Sequence, residues 1–133
     1  MSLLAALASI YTFGSVSDCS KGTALFTITS MSFSPDPPVK GQNSTLALSM
    51  TVPYDIQSGT AKYSVTYNFI PLAPTVEDLC TILPDHCPIK AGTLNTISSV
   101  PFYDSLKGTI IFKVEWKDTS NNELMCVSVN TRV

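Results

Sequence analysis

Apolar and polar side chains alternate with a period of two through most of this chain, and that pattern limits what it can fold into. From Thr45 to Pro53, Leu46, Leu48, Met50 and Val52 face one way while Thr45, Ala47, Ser49 and Thr51 face the other. From Thr60 to Ile70, Ala61, Tyr63, Val65, Tyr67 and Phe69 alternate with Lys62, Ser64, Thr66 and Asn68. From Thr109 to Lys117, Ile110, Phe112, Val114 and Trp116 alternate with Lys113, Glu115 and Lys117, with Ile111 interrupting the polar side. From Met125 to Val133, Met125, Val127, Val129 and Val133 alternate with Ser128, Asn130 and Arg132. Successive side chains of a strand point to opposite faces, so each run reads as an antiparallel strand with one dry and one wet face. Weaker patterns mark strands at Ala24–Phe33 and Gly92–Val100. No stretch after residue 17 carries an apolar stripe at helical spacing.

Turn chemistry separates these runs. Ser34-Pro35-Asp36-Pro37-Pro38 with Lys40-Gly41 closes the first, Gln57-Ser58-Gly59 another, Lys107-Gly108 precedes a third, and Asp118 to Asn122 is a polar hairpin loop. Six or seven strands at this spacing predict an all-β, immunoglobulin-like two-sheet β-sandwich in one domain. Ile70 to Pro88 holds four prolines and a small cysteine ring and reads as a rigid, extended connection.

Leu3 to Phe13 is an apolar run with no charge, too short to span a bilayer and followed by Gly14, Ser15 and Ser17. Residues 1–17 therefore read as a secretory signal peptide, cleaved after Ser17 or a few residues earlier, and 18–133 as the mature domain. Cys19, Cys80, Cys87 and Cys126 contain no Cys-x-x-Cys pair, which removes a zinc ribbon or a thioredoxin motif. Three connectivities are open; the short spacing of Cys80 and Cys87 favours pairing them and leaving Cys19 with Cys126. Asn43-Ser44-Thr45 is a glycosylation sequon at a strand edge.

Composition matters for what the chain does with its apolar residues. Hydrophobic residues make up 44% and charged ones only 14%, against roughly a quarter in an ordinary domain. There is no basic run, which argues against nucleic acid and a polybasic membrane anchor. The inward faces interdigitate into a filled core in an ordinary sandwich, but Tyr63 and Tyr67 bring hydroxyls that suit the edge of a pocket. Apolar residues in the connections, Leu72, Phe102, Tyr103 and Leu106 among them, suit a mouth at one end.

No enzyme is expected. The single histidine, His86, reads as an exposed loop residue; there is no nucleophile elbow, phosphate loop or metal-ligand set. Glu77 and Asp78 read as a solvated loop rather than an acid/base pair.

Cys80, then Cys87-Pro88-Ile89-Lys90, a strand, Val100-Pro101, and Val114-Glu115-Trp116 followed by a polar loop and Cys126 resemble the ML (lipid-recognition) domain family. The opening Ser34 to Gly41 is similar to its fungal, plant and protist members. The resemblance covers essentially the whole chain after residue 17. It implies two sheets splayed around one hydrophobic site for a sterol or a phospholipid (phosphatidylglycerol or phosphatidylinositol), and the pairing Cys19–Cys126 and Cys80–Cys87. It places Leu72, Phe102, Tyr103 and Leu106 at the entrance and Tyr63, Val65, Tyr67, Phe112, Val114 and Trp116 deeper, with Phe69 as a further lining residue. It also implies intermembrane lipid transfer by a monomer that touches membranes transiently, in the secretory pathway, outside the cell or in an endolysosomal or vacuolar lumen, with no cofactor, metal or nucleic acid. A lipid-recognition module serving a protein receptor, and a structural domain with a filled core, are the alternatives. Two departures leave the lipid open: the chain lacks the third disulfide of the sterol carriers, and Leu106-Lys107-Gly108 stands where they have a Tyr-Pro step.

Overall fold

The computed structural model describes residues 15–133. In chain order the elements are β1 (Val16–Asp18), β2 (Thr27–Ser34), β3 (Gln42–Val52), β4 (Gly59–Tyr67), β5 (Ile70–Pro71), β6 (Thr75–Asp78), the helical turn α1 (Leu79–Ile82), β7 (Gly92–Phe102), β8 (Thr109–Asp118) and β9 (Glu123–Arg132). One sheet runs β1-β9-β8-β4, with β5 and β6 both paired to the far edge of β4; the other runs β2-β3-β7. All pairings are antiparallel. This is the two-layer sandwich that the alternation predicts.

Register turns the alternation into continuous faces. Ala61, Trp116 and Met125 lie side by side across β4, β8 and β9, as do Tyr63, Val114 and Val127, and Val65, Phe112 and Val129. In the second sheet Met31, Leu48 and Thr96 form one such row, and Phe33, Leu46 and Ser98 the next. Residues opposite one another in a sheet share a face, so these rows meet between the layers. Met50, Val52, Leu79, Leu124, Met125, Val127 and Val129 are fully buried at their junction.

Along one edge the layers are joined strand to strand by backbone hydrogen bonds. After β1, Leu25 N donates to Glu123 O (3.0 Å) and Phe26 N to Leu124 O (2.8 Å), which straps the chain across β9 before it enters β2. The Phe26 ring meets Trp116 edge-on at 6.4 Å. Cys19 is bonded to Cys126 and Cys80 to Cys87, the pairing expected. At the opposite edge β6 and β7 belong to different sheets and stand apart.

Several boundaries differ from the sequence expectation. The strand expected from Ala24 begins at Thr27, because Leu25 and Phe26 serve as the strap. In β9 a bulge at Leu124 offsets the register, and Thr131 is the buried partner of Ile110, while Val133 lies beyond the strand and pairs its backbone with Gly108.

Ile70 to Pro88 is not one extended connection: it covers the outer edge of β4, which would otherwise expose unpaired backbone groups. Ile70–Pro71 pairs with Thr66–Tyr67, and Thr75–Asp78 with Thr60–Tyr63. Glu77 and Asp78 are thus strand residues rather than loop residues. Asp78 also caps α1, its side chain accepting from Cys80 N at 2.8 Å. His86 is exposed, as expected; its Nδ1 lies 2.7 Å from Cys80 O, and since a carbonyl only accepts, Nδ1 carries the proton.

The first fourteen residues of the expected leader lie outside the described residues. Val16 and Ser17, at its end, pair with Val129 and Ser128, and Val16 is buried.

Replacing both Cys19 and Cys126 with alanine should lower the unfolding free energy by about 4–5 kcal/mol, because their 107-residue separation closes most of the chain. Replacing Cys80 and Cys87 should cost about 2–3 kcal/mol on the same entropic grounds. Guanidinium titrations of the two double variants check the order.

Candidate functional site

The second sheet has three strands against six, and its β2 lies over β1 and β9. It runs out before the inner faces of β4 and β8 are covered. What remains is a cleft of about 1120 Å³ that opens between the β6 and β7 edges. Its floor is Tyr63, Phe112, Val114 and Trp116; Leu46 and Leu48 of β3 face them; Ile82 and Leu83 close one side. A second chamber of about 280 Å³ adjoins it, lined by Val65, Tyr67, Leu72, Leu106 and Ile110 among others. Val100, Pro101 and Phe112 belong to the walls of both. A cleft of this volume argues against the filled-core alternative.

One end of the cleft is rigidly braced. The Tyr67 hydroxyl donates to Lys107 O (2.9 Å) and accepts from Lys107 N (3.0 Å), so its burial costs no unmade hydrogen bond. Asn68 donates through Nδ2 to Lys107 O (3.0 Å) and accepts from Thr109 N at Oδ1 (2.9 Å). A side chain at Gly108, whose φ is +117°, would collide with that Asn68 amide, so glycine is needed there. The Leu106-Lys107-Gly108 step thus anchors the β4 hairpin to the loop after β7.

Few groups in the site are ionisable. Burial pushes the Tyr63 phenol above its ordinary value, and the Glu77 carboxylate adds to the effect. Trp116 is 4% exposed and its Nε1 is buried without a hydrogen-bond partner. Glu115, Glu123 and Cys126 bring possible ligand atoms together on the outer face, but Cys126 is in a disulfide and offers no thiolate.

Ten of the eleven expected lining residues reach the two chambers. Tyr63, Tyr103, Phe112, Val114 and Trp116 line the larger; Val65, Tyr67, Leu72, Phe102, Leu106 and again Phe112 line the smaller. Leu72 and Tyr103 are exposed at the rim, whereas Phe102 is buried against Phe33 and forms wall rather than entrance. Phe69 is the exception. Strand β4 ends at Tyr67, and Asn68-Phe69 is the two-residue turn into β5, with φ of 49° and 68°. The turn breaks the alternation and swings Phe69 outward, 79% exposed.

Leu46, Leu48 and Met125 line the cleft although alternation marked them only as inward-facing, and Thr75, Glu77, Thr96 and Ser98 were not anticipated at all. Their signal is the parity of their strand pairing, which a sequence does not display. Asn43 is exposed, and its alternation with the buried Ser44 and Leu46 places it on the outer face of the second sheet.

A sandwich closed along one edge and holding a large, mostly apolar chamber at the other defines a receptor for a small hydrophobic molecule. The chain belongs to the ML domain family, whose model matches residues 14–133. A Dictyostelium discoideum protein whose name assigns it to phosphatidylglycerol/phosphatidylinositol transfer is 32% identical over 133 residues, 97% of this chain and 93% of that one. The phosphatidylglycerol/phosphatidylinositol transfer protein of Pyricularia oryzae is 31% identical over 112 residues, 79% of this chain and 62% of that one. Among solved structures, a Niemann-Pick type C2 protein from the Japanese carpenter ant superposes with a TM-score of 0.67 at 16% identity, covering 87% of this chain and 96% of that one. Chicken MD-1 complexed with lipid IVa gives 0.64 at 14%, covering 88% and 87%. These two likenesses speak for the fold.

Val114 is buried in the cleft floor opposite Tyr63. Val114→Trp should fill the chamber and reduce uptake of a fluorescent lipid at least tenfold while the circular dichroism of the sandwich is kept; uptake equal to that of the unaltered protein would mean that the lipid sits elsewhere.

Proposed function

We propose that this protein takes one lipid, a sterol or a phospholipid, into the cleft between its sheets and carries it between membranes. The open apolar cleft is the observation that carries this reading, and the names of its relatives support it. The driving force is burial of lipid surface, worth about 25 cal/mol per Å², of which several kcal/mol remain after ordering costs. No cofactor or bond-breaking step is involved, and a monomer suffices.

Transfer needs a surface that meets the bilayer. Phe69 is 79% exposed, Ile70 65%, Leu72 51% and Tyr103 65%, and the first three follow one another at the tip braced by Asn68. A bulky residue at positive φ is uncommon, and strain of this kind collects at functional positions. We read this tip as the part that dips into the membrane beside the smaller chamber.

Two disulfides fit an oxidising compartment, in keeping with secretion or delivery to an endolysosomal or vacuolar lumen. In that setting Asn43, on the outer face away from the cleft, is a glycan acceptor. The buried, paired Val16 favours a leader that ends before Ser15, so the mature domain starts earlier than residue 18. Sequencing the amino terminus of protein secreted by its own host checks this: a start at Gly14 or Ser15 agrees, and a start at Asp18 opposes it.

The function itself is tested by native mass spectrometry of the secreted protein and by lipid transfer between vesicles. A one-to-one lipid adduct and accelerated transfer are expected, with Phe69→Asp slowing transfer severalfold while solution binding is kept. A protein free of lipid that quenches no Trp116 fluorescence on lipid addition would overturn the proposal, and a loaded protein that moves nothing would favour presentation to a receptor.

A further inference from the structure

Over a short stretch of each lip of the cleft, the order of apolar and polar residues seen elsewhere in the sheets is reversed; on β7 the inward face is apolar again at Leu94 and Val100. On β6, Glu77 lies opposite the buried Ala61, and Thr75 opposite Tyr63, so both turn toward the cavity. Val76 between them is left 61% exposed on the outside. On β7, Thr96 lies opposite Leu48 and Ser98 opposite Leu46, again facing the cavity, while Ile97 between them is 79% exposed. Edge strands that only covered a core would carry the apolar residue inside.

The charge in this collar is one-sided. Glu77 is the only acidic residue that lines either chamber, and neither lining includes a lysine or an arginine. Its carboxylate is felt by Tyr63 in the cleft floor, which places the negative charge at the chamber rather than away from it. A carboxylate at the rim accepts a strong hydrogen bond from a neutral hydroxyl, and it repels a second anion placed beside it. A phosphate diester drawn to this rim would meet the like charge with no lining cation to offset it.

Taking the lipid-carrier reading as its basis, we propose that Glu77, with Thr75, Thr96 and Ser98, selects a lipid whose sole polar group is a neutral hydroxyl. Glu77 accepts the hydrogen bond of that hydroxyl, and the collar disfavours an anionic phosphate at the same place. The preferred ligand is then sterol-like in its polar chemistry, although relatives of this chain are named for anionic phospholipids.

The experiment measures binding of a fluorescent sterol and of acyl-labelled phosphatidylglycerol to the full mature chain, to E77Q and to E77K. Glu77 is exposed on an edge strand, so these variants should fold, and thermal melting verifies that they do. The unaltered protein should prefer the sterol by about tenfold or more, as expected of one charge-assisted hydrogen bond. E77Q should erase most of that preference by weakening sterol and strengthening phosphatidylglycerol binding, and E77K should invert it. T75V with S98A should weaken the sterol without improving phosphatidylglycerol, which separates hydrogen bonding from charge. Tight binding of both lipids with a ratio that ignores residue 77 would overturn the collar alone. Binding of neither lipid, by any variant, would overturn the carrier reading with it.

Discussion

The structure depends on closing the sandwich along one edge only. Hydrogen bonds from Leu25 and Phe26 to the backbone of β9, and the Cys19–Cys126 bridge beside them, hold the layers at the β1–β2 side. Nothing equivalent joins β6 to β7 among the described residues. Three strands cannot shade six, so with closure at one edge the inner faces of β4 and β8 meet β3 across an open cleft at the other. Cavity, rim and exposed tip all follow from that mismatch.

Such a design puts core and binding site on the same strands. Along β8, the half-buried Phe112 lies between the buried Ile110 on one side and the buried Val114 and Trp116 on the other, and along β4 the change runs from buried Ala61 to half-buried Tyr63, Val65 and Tyr67. The buried residues of both strands contribute to stability, and the half-buried end of β4, with Phe112 beside it, is left for apolar contact. A ligand seated on the half-buried end completes the packing, so binding and stability are linked by mass action. The braces around Lys107 and the small cysteine ring keep the unfilled part from collapsing.

Much of this was legible in the sequence. Period-two runs placed β3, β4, β8 and β9 to within three residues at each end, and the Cys-Pro-Ile and Glu-Trp neighbourhoods pointed to the disulfide pairs and to ten of the eleven lining residues. The eleventh, Phe69, fits the alternation perfectly and still points away, because a two-residue turn held by Asn68 interrupts the strand at Tyr67. The polar collar was hidden for a related reason: Thr75 and Glu77 turn inward only because Thr75–Asp78 pairs with Thr60–Tyr63 in one particular register, and a shift of one residue would have turned Val76 inward instead.

By itself, then, the sequence determined which side chains share a face, which cysteines tie the ends together, and the family to which the domain belongs, since these are local patterns and fixed spacings. Tertiary structure decided which inward faces are covered, which edge stays open, and what chemistry stands at the opening. Those are properties of two sheets placed against each other, and strand order and register, rather than residue order, set them.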